Sequence, residues 1–98
     1  MTFQQLRYVC AIADADLNVS RAAERLFTSQ PGISKQLMLL EAELGVQLFQ
    51  RNGKHLTAMT PVGKKILERS RVLLQQAESI QRTAAEALDE SRGSLNIA

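Results

Sequence analysis

One short segment carries side chains that could recognise the edges of nucleic-acid bases. If the segment is helical, one face carries Gln30, Ser34, Lys35 and Met38. Gln30, Ser34 and Met38 follow one another at steps of four residues, and Lys35 lies three residues before Met38. Glutamine can bond adenine through two atoms, lysine can reach the acceptors of guanine, and serine adapts to either partner. Polar residues of this kind more often form an ordinary solvated helix face, so the surrounding elements decide between the two interpretations.

A second group of polar and basic residues could hold phosphates. Thr28 and Ser29 offer hydroxyls where a helix would begin, and the free N–H groups of a helix N-terminus attract anions. Arg51, Lys54 and His55 follow at the tip of a predicted hairpin. We predict that these five residues contact a nucleic-acid backbone; the alternative for the last three is an ordinary charged hairpin tip. Further candidates for phosphate contact are Arg7, Arg21, Lys64 and Lys65.

No arrangement of residues indicates catalysis or a bound metal. The single cysteine, Cys10, and the single histidine, His55, cannot build a zinc site in one chain. Ser34 and Lys35 would be neighbours on a helix, so their side chains point apart and do not form a Ser-Lys nucleophile. Two aspartates near residue 15 are typical of a turn. We therefore predict that the chain is not an enzyme and that this segment holds no metal and no cofactor.

Composition is that of an ordinary globular protein without disulfides. The 98 residues are 45% hydrophobic and 22% charged, and Cys10 lies on an apolar stripe that predicts a buried, inert thiol. We see neither a signal peptide nor an apolar run of membrane-spanning length, so we expect a cytoplasmic location and no membrane partner. The net charge is only +2, but the segment from Val46 to Arg71 contains six lysines and arginines and a single acidic residue, Glu68. This local excess favours an anionic partner.

Two short helices are predicted at the start of the chain. Thr2 and Gln5 match a capping box, in which the two side chains satisfy each other's backbone N–H groups, so a helix begins at about Phe3. Its apolar residues recur at steps of three and four. Asn18 is a favourable N-cap for a second helix, which carries small apolar residues in its middle. Small residues at that place would let a third helix cross closely.

The third helix completes a helix-turn-helix. Thr28 or Ser29 can cap it, and Pro31 in its first turn costs no hydrogen bond. Gly45 is a typical C-terminal stop. Because only a short turn separates the second and third helices, the pair predicts a helix-turn-helix whose second helix enters the major groove. This context favours contact with bases for the polar face of the third helix.

A hairpin is predicted directly after these helices. Asn52-Gly53 is a strong signal for a two-residue turn, because both residue types tolerate positive φ. The segments Leu48–Arg51 and Lys54–Met59 would form its two short strands. A small hairpin after a helix-turn-helix is a wing, so the sequence predicts a mainly helical winged helix-turn-helix over residues 1–60.

A long helix is predicted from Pro61, capped by Thr60, to about Ser91. Small residues such as Gly63 and Ser70 lie beside its apolar stripe and would let a partner approach closely. Arg92-Gly93-Ser94 should break the helix, and the strand-like Leu95–Ile97 would begin something longer. A stripe of this length indicates packing between chains, so we predict a homodimer through Ile66, Leu73, Leu74, Ala77, Ile80, Ala84 and Ala87.

Four motifs together resemble the signature of LysR-type transcriptional regulators. They are Ala22-Ala23-Glu24-Arg25-Leu26, Ser29-Gln30-Pro31-Gly32-Ile33-Ser34-Lys35-Gln36, Leu40-Glu41-Ala42-Glu43-Leu44-Gly45-Val46-Gln47-Leu48-Phe49 and Leu56-Thr57-Ala58-Met59-Thr60-Pro61-Val62-Gly63. The resemblance covers essentially the whole chain. It implies base contacts by Gln30, Pro31, Ser34 and Lys35 on double-stranded promoter DNA.

The resemblance also implies an organisation for the longer protein. Residues 61–91 would be the dimerising linker helix, and residues 92–98 would begin an effector-binding domain that binds a small molecule. Similar full-length proteins are tetramers. The residue Lys35 and the motif Gly53-Lys54-His55-Leu56-Thr57 are closest to the CysB-like branch of the family, which controls sulfur-assimilation and cysteine genes.

Two other functions remain open from the residues alone. The first is a helical protein-protein interaction module whose basic region is incidental; it would not bind duplexes in a salt-dependent way. The second is RNA binding, which the few aromatic residues make a weak alternative because they form no stacking platform.

Overall fold

Four helices and one two-stranded hairpin make up the computed structural model, which describes residues 1–97 and the side chains of residues 1–90. This is the mainly helical fold expected from the sequence, with three helices, a wing and a long final helix. In chain order the elements are α1 (Phe3–Asp14), α2 (Val19–Arg25), α3 (Gln30–Leu44), β1 (Phe49–Asn52), β2 (His55–Met59) and α4 (Pro61–Ile97).

The first three helices begin at the predicted capping residues. Thr2 Oγ1 accepts the N–H of Gln5 at 3.1 Å, and Gln5 Oε1 accepts the N–H of Thr2 at 3.0 Å, which confirms the capping box. Asn18 Oδ1 and Ser29 Oγ each accept the backbone N–H three residues ahead, at 3.0 and 3.1 Å. Ser29, and not Thr28, is therefore the N-cap of α3.

The core lies where α1 packs against α2, α3 and α4. Each of its large side chains gains about 1.5–3 kcal/mol from full burial. Two of them, Leu48 and Phe49, enter from the base of the wing, so burial anchors the wing to the helices. The largest fully buried side chains are Val9, Ile12, Ile33, Leu40, Leu48 and Phe49.

The wing is an antiparallel pair whose turn lies one residue later than predicted. Asn52 pairs with His55, so Gly53 and Lys54 form the turn instead of Asn52 and Gly53. Within this turn only Gly53 has positive φ, at 63°, and Asn52 remains extended in β1. The register shifts between Gln50 and Arg51, which leaves an extra residue in β2 as in a β-bulge.

The start of α4 is bonded to the base of the wing. Thr60 Oγ1 accepts the N–H of Gly63 at 2.9 Å and donates to the carbonyl of Gln47 at 2.7 Å. The Thr60 N–H also donates to the carbonyl of Leu48 at 3.0 Å. Gly63 is buried, and a β-carbon there would overlap that same carbonyl. Gly63 therefore allows the backbone of Leu48 in the same chain to approach α4 closely. Our expectation that it allows a second chain to approach was wrong.

The far end of α4 also differs from the expectation. The helix continues to Ile97, so the predicted break at Arg92-Gly93-Ser94 and the strand at Leu95–Ile97 were wrong. A single glycine costs a helix about 1 kcal/mol relative to alanine and does not end it, and the segment has no proline. Ala98 lies outside the described residues, and the assignment of residues 92–98 to another domain stays a prediction.

The first half of α4 packs on its own domain, whereas residues 80–90 are exposed. Ile66 and Leu74, which we predicted in a dimer interface, pack partly against the core of the same chain. Ala77 is half-buried, and Leu73 and Ile80 are 39% and 71% exposed. Ala84 and Ala87 are exposed as well. Over the described residues, neither α4 nor another helix is apolar enough over a sufficient length to cross a membrane.

Candidate nucleic-acid interface

The two helices of the predicted helix-turn-helix cross at small buried residues. Ala22 and Ala23 of α2 are buried against α3, which turns Ile33 and Leu37 inward. The opposite side of α3 is left to solvent. The turn between the helices contains Phe27, which has φ of 55° and a side chain that is 96% exposed. The core therefore fixes which face of α3 a ligand can reach.

A groove of about 420 Å³ runs between that face of α3 and the wing. Gln30, Pro31, Ser34 and Met38 line it from α3, so the structure brings together four of the five residues predicted to contact bases. Lys35 is exposed on α3 beside Ser34 but does not line the groove. From the wing side the groove is lined by Arg51, Gly53, Lys54 and Leu56.

Two lysines, one lining the groove and one beside it, have no carboxylate partner. Lys35 and Lys54 are both exposed, and neither forms an ion pair among residues 1–90. An exposed ammonium without a carboxylate partner keeps its full attraction for a phosphate or for a base acceptor. The groove can therefore offer hydrogen-bond donors on its floor and positive charge at its edges.

Arg51 has a structural partner that the sequence did not indicate. Its Nη2 atom lies 2.5 Å from Glu41 Oε1, and the buried Glu41 carboxylate also accepts the N–H of Leu48 at 2.7 Å. The carboxylate thus joins α3 to the base and the first strand of the wing. Part of the Arg51 charge is neutralised within the chain, and the guanidinium retains further N–H donors.

The start of α3 presents hydroxyls and N–H groups. Ser29 Oγ is engaged as the helix cap, but its own O–H can still donate to an anion. Thr28 is exposed beside it. Ser20, which we did not predict as part of the site, donates from Oγ to Gln30 Oε1 at 2.7 Å. His55 is exposed and lines a second groove that extends from Ser20 to the wing.

The other candidates for phosphate contact lie on the surface, and Arg71 differs from them because it is paired with an aspartate. The phosphate candidates Arg7, Arg21, Lys64 and Lys65 are all exposed. Arg71 instead bonds Asp14 of α1 at 2.8 Å, and this hydrogen bond raises the pKa of the guanidinium. Cys10 is buried, which confirms the prediction from its apolar stripe, and this burial raises the pKa of its thiol.

Similarity to known proteins agrees with this geometry. The family described as bacterial regulatory helix-turn-helix proteins of the lysR family matches residues 3–64. The HTH-type transcriptional regulator CysB of Haemophilus influenzae is 50% identical over all 98 residues, which span 30% of that protein. The regulator cbl of Escherichia coli is 40% identical over the same length, which is 31% of that protein. The chain thus spans about a third of these relatives.

A solved structure shows the same fold in complex with DNA. The DNA-binding domain of CbnR, crystallised with DNA, superposes with a TM-score of 0.78 at 42% identity. The match covers 89% of this chain and 99% of that one. Because the family match extends over well more than half of its residues, the chain belongs to the lysR family of bacterial regulatory helix-turn-helix proteins.

Proposed function

We propose that this chain is the sequence-specific DNA-binding and dimerising part of a transcriptional regulator. The observation that carries the proposal is the groove between α3 and the wing, which is lined by Gln30, Pro31, Ser34 and Met38 and flanked by unpaired lysines. A helix fits the major groove of B-DNA, where each base pair presents its own pattern of donors and acceptors. CbnR, whose DNA-binding domain has this fold, is seen with DNA in its crystal structure.

In this proposal the residues divide into base readers and backbone contacts. Gln30, Pro31, Ser34, Lys35 and Met38 face the bases, with Lys35 as the donor to guanine. The exposed hydroxyls and cations around them position the protein on phosphates. Arg51 would contact a phosphate with the N–H groups that its pairing with Glu41 leaves free. The backbone contacts are Thr28, Ser29, Arg51, Lys54 and His55.

We further propose CysB-like control of sulfur-assimilation and cysteine genes. The support is 50% identity to CysB of Haemophilus influenzae over the whole chain. Two copies would pair through the exposed part of α4, and a longer protein would form a tetramer with a separate domain for a small effector. The chain would work at DNA in the bacterial cytoplasm, without enzymatic activity and without a metal or cofactor.

The test is to incubate the chain with fragmented bacterial genomic DNA near physiological salt and to sequence the bound duplexes. We expect enrichment of a motif with two-fold symmetry upstream of sulfur-uptake and cysteine genes. A shared motif upstream of unrelated genes would keep the DNA-reading function and refute the sulfur assignment. Absence of any enrichment would favour a protein-protein interaction module, which the family and the groove do not favour.

Single lysine substitutions separate base reading from charge. We expect Lys35→Ala to weaken specific binding by about 1–3 kcal/mol and to relax the choice of base. Lys54→Ala should weaken binding to all sequences and lower the slope of log affinity against log salt by about one. Arg82→Ala is the control, because Arg82 is an exposed cation of α4 that lies about 30 Å of helix beyond Pro61. A Lys35→Ala variant with unchanged base preference would contradict its role.

A further inference from the structure

Ser20, in the first turn of α2, contacts the side chain at the start of α3 that we propose to read bases. Its Oγ atom lies 2.7 Å from Gln30 Oε1, although the two residues are ten apart in the chain. Both side chains are exposed, and Gln30 lines the groove along α3 as well as the second groove that leads to the wing. The contact therefore lies inside the proposed interface and is accessible to DNA.

The chemistry of this contact sets the orientation of the Gln30 amide. A glutamine side-chain oxygen can only accept, so the hydroxyl of Ser20 is the donor. With Oε1 turned toward α2, the two N–H groups of Nε2 remain for a ligand. Among the side chains of residues 1–90, no partner of Gln30 Nε2 is described. The structure thus presents Gln30 to DNA as a donor.

A glutamine held in this way matches a different base edge from a free one. A free glutamine recognises adenine through both atoms, since it accepts from the N6 amino group and donates to N7. A glutamine that offers only donors matches base acceptors, namely guanine N7 and O6, thymine O4 or adenine N7, and does not bond the N6 amino group of adenine. We propose that Ser20 is a positioning residue that determines specificity, because it commits Gln30 to donating to a base acceptor. This inference rests on the proposed DNA-binding function.

The first experiment selects duplexes from a randomised pool with the whole chain and with Gln30→Ala. The base pair at which Gln30→Ala loses preference is the one that Gln30 reads. We expect Ser20→Ala to reduce the preference at that base pair roughly threefold to tenfold, as one hydrogen bond in a desolvated interface would. Preference at the other positions and the Tm should not change.

Three further variants test whether Ser20 acts through Gln30. Ser20→Thr keeps the hydroxyl and should keep the preference. Ser79→Ala removes a hydroxyl from α4, away from the groove, and should change neither affinity nor preference. In a Gln30→Ala background, Ser20→Ala should have no additional effect. A Ser20→Ala variant that alters all positions equally, or none, overturns the proposal.

Base analogues then identify the atom that Gln30 contacts. At a G·C pair, 7-deazaguanine lacks N7 and should weaken binding. At a T·A pair, either 4-thiothymine, which weakens the O4 acceptor, or 7-deazaadenine, which lacks N7, should do the same, and replacing the adenine with 2-aminopurine, which lacks the N6 amino group, should leave affinity unchanged. A loss of affinity with 2-aminopurine overturns the proposal. Failure of the unmodified chain to enrich any motif refutes the DNA-reading function itself, and this inference with it.

Discussion

At Gly63 the first turn of α4 passes so close to the backbone of Leu48 that no side chain fits. Both sides of this contact are backbone, so Gly63→Ala can be accommodated only by moving α4 away from the wing. We expect a loss of about 3 kcal/mol in the free energy of unfolding, in the upper range for overpacking. Chemical denaturation measures it. Val62→Ala, an exposed neighbour on the same turn, should cost much less, and equal costs would contradict the close approach.

The thiol of Cys10 should react slowly as long as the chain is folded. Burial raises the pKa of Cys10 above its ordinary value of 9.0, and the thiolate is the reactive form. At about pH 8 we expect alkylation by iodoacetamide to be at least tenfold slower in the folded chain than in denaturant. The raised pKa also means that this group's contribution to stability is complete below pH 9.0 and declines at higher pH. Equal alkylation rates in both states would show that the thiol is accessible.

Which residue roles the sequence could predict depends on how local the interaction is. The Thr2–Gln5 capping box was predicted correctly, because its two bonds join residues three apart. Ser20 was missed, because its bond to Gln30 depends on how α2 crosses α3. The polar face of α3 was identified from its spacing, and its contacts with bases stay predictions.

Between elements, the buried carboxylate of Glu41 is the main polar link from α3 to the wing. Glu41→Ala leaves the Leu48 N–H without its acceptor and Arg51 without its partner. We expect a loss of about 2 kcal/mol in unfolding free energy, since the buried Leu48 N–H loses its acceptor and the partly buried pair with Arg51 is broken. Urea denaturation would show it. The matched control is Glu43→Ala, two residues away, whose carboxylate makes an exposed pair with the Met1 ammonium and should contribute at most about 1 kcal/mol.

The elements also show where patterns in sequence are least precise. Asn52-Gly53 correctly predicted a hairpin, but the register placed the turn at Gly53 and Lys54, because the buried Leu48 and Phe49 set where the strands start. Arg92-Gly93-Ser94 was read as a helix end, although a glycine only weakens a helix. Element types follow from local pattern, whereas their exact ends follow from packing and register.

For the whole molecule, the exposed apolar residues Ile80, Ala84 and Ala87 of α4 predict association. Ile80→Glu places a charge in the proposed interface, so we expect the dimer to dissociate into monomers at micromolar concentration. Sedimentation velocity measures this. Gln81→Glu, which adds the same charge at the next exposed position, should leave the dimer intact. If the unsubstituted chain sediments as a monomer, α4 of this chain does not by itself form the interface.

The attachment of α4 to the winged helix-turn-helix of residues 1–60, the proposed DNA-binding domain, affects how a dimer would fit DNA. Thr60 bonds the start of the helix to the base of the wing, and Ile66, Leu67 and Leu74 pack against the core, so the first half of α4 is anchored to this domain. The 16 residues from 72 to 87, the last of the proposed interface residues, then span about 24 Å of helix. In the proposed dimer, a change of about 10° in the angle between the two α4 helices would change the distance between the two DNA-binding domains by about 4 Å, or about one base pair at 3.4 Å. The spacing between the two halves of the operator that the dimer accepts would thus be set by the angle at which the two α4 helices cross, far from any base that the domains read.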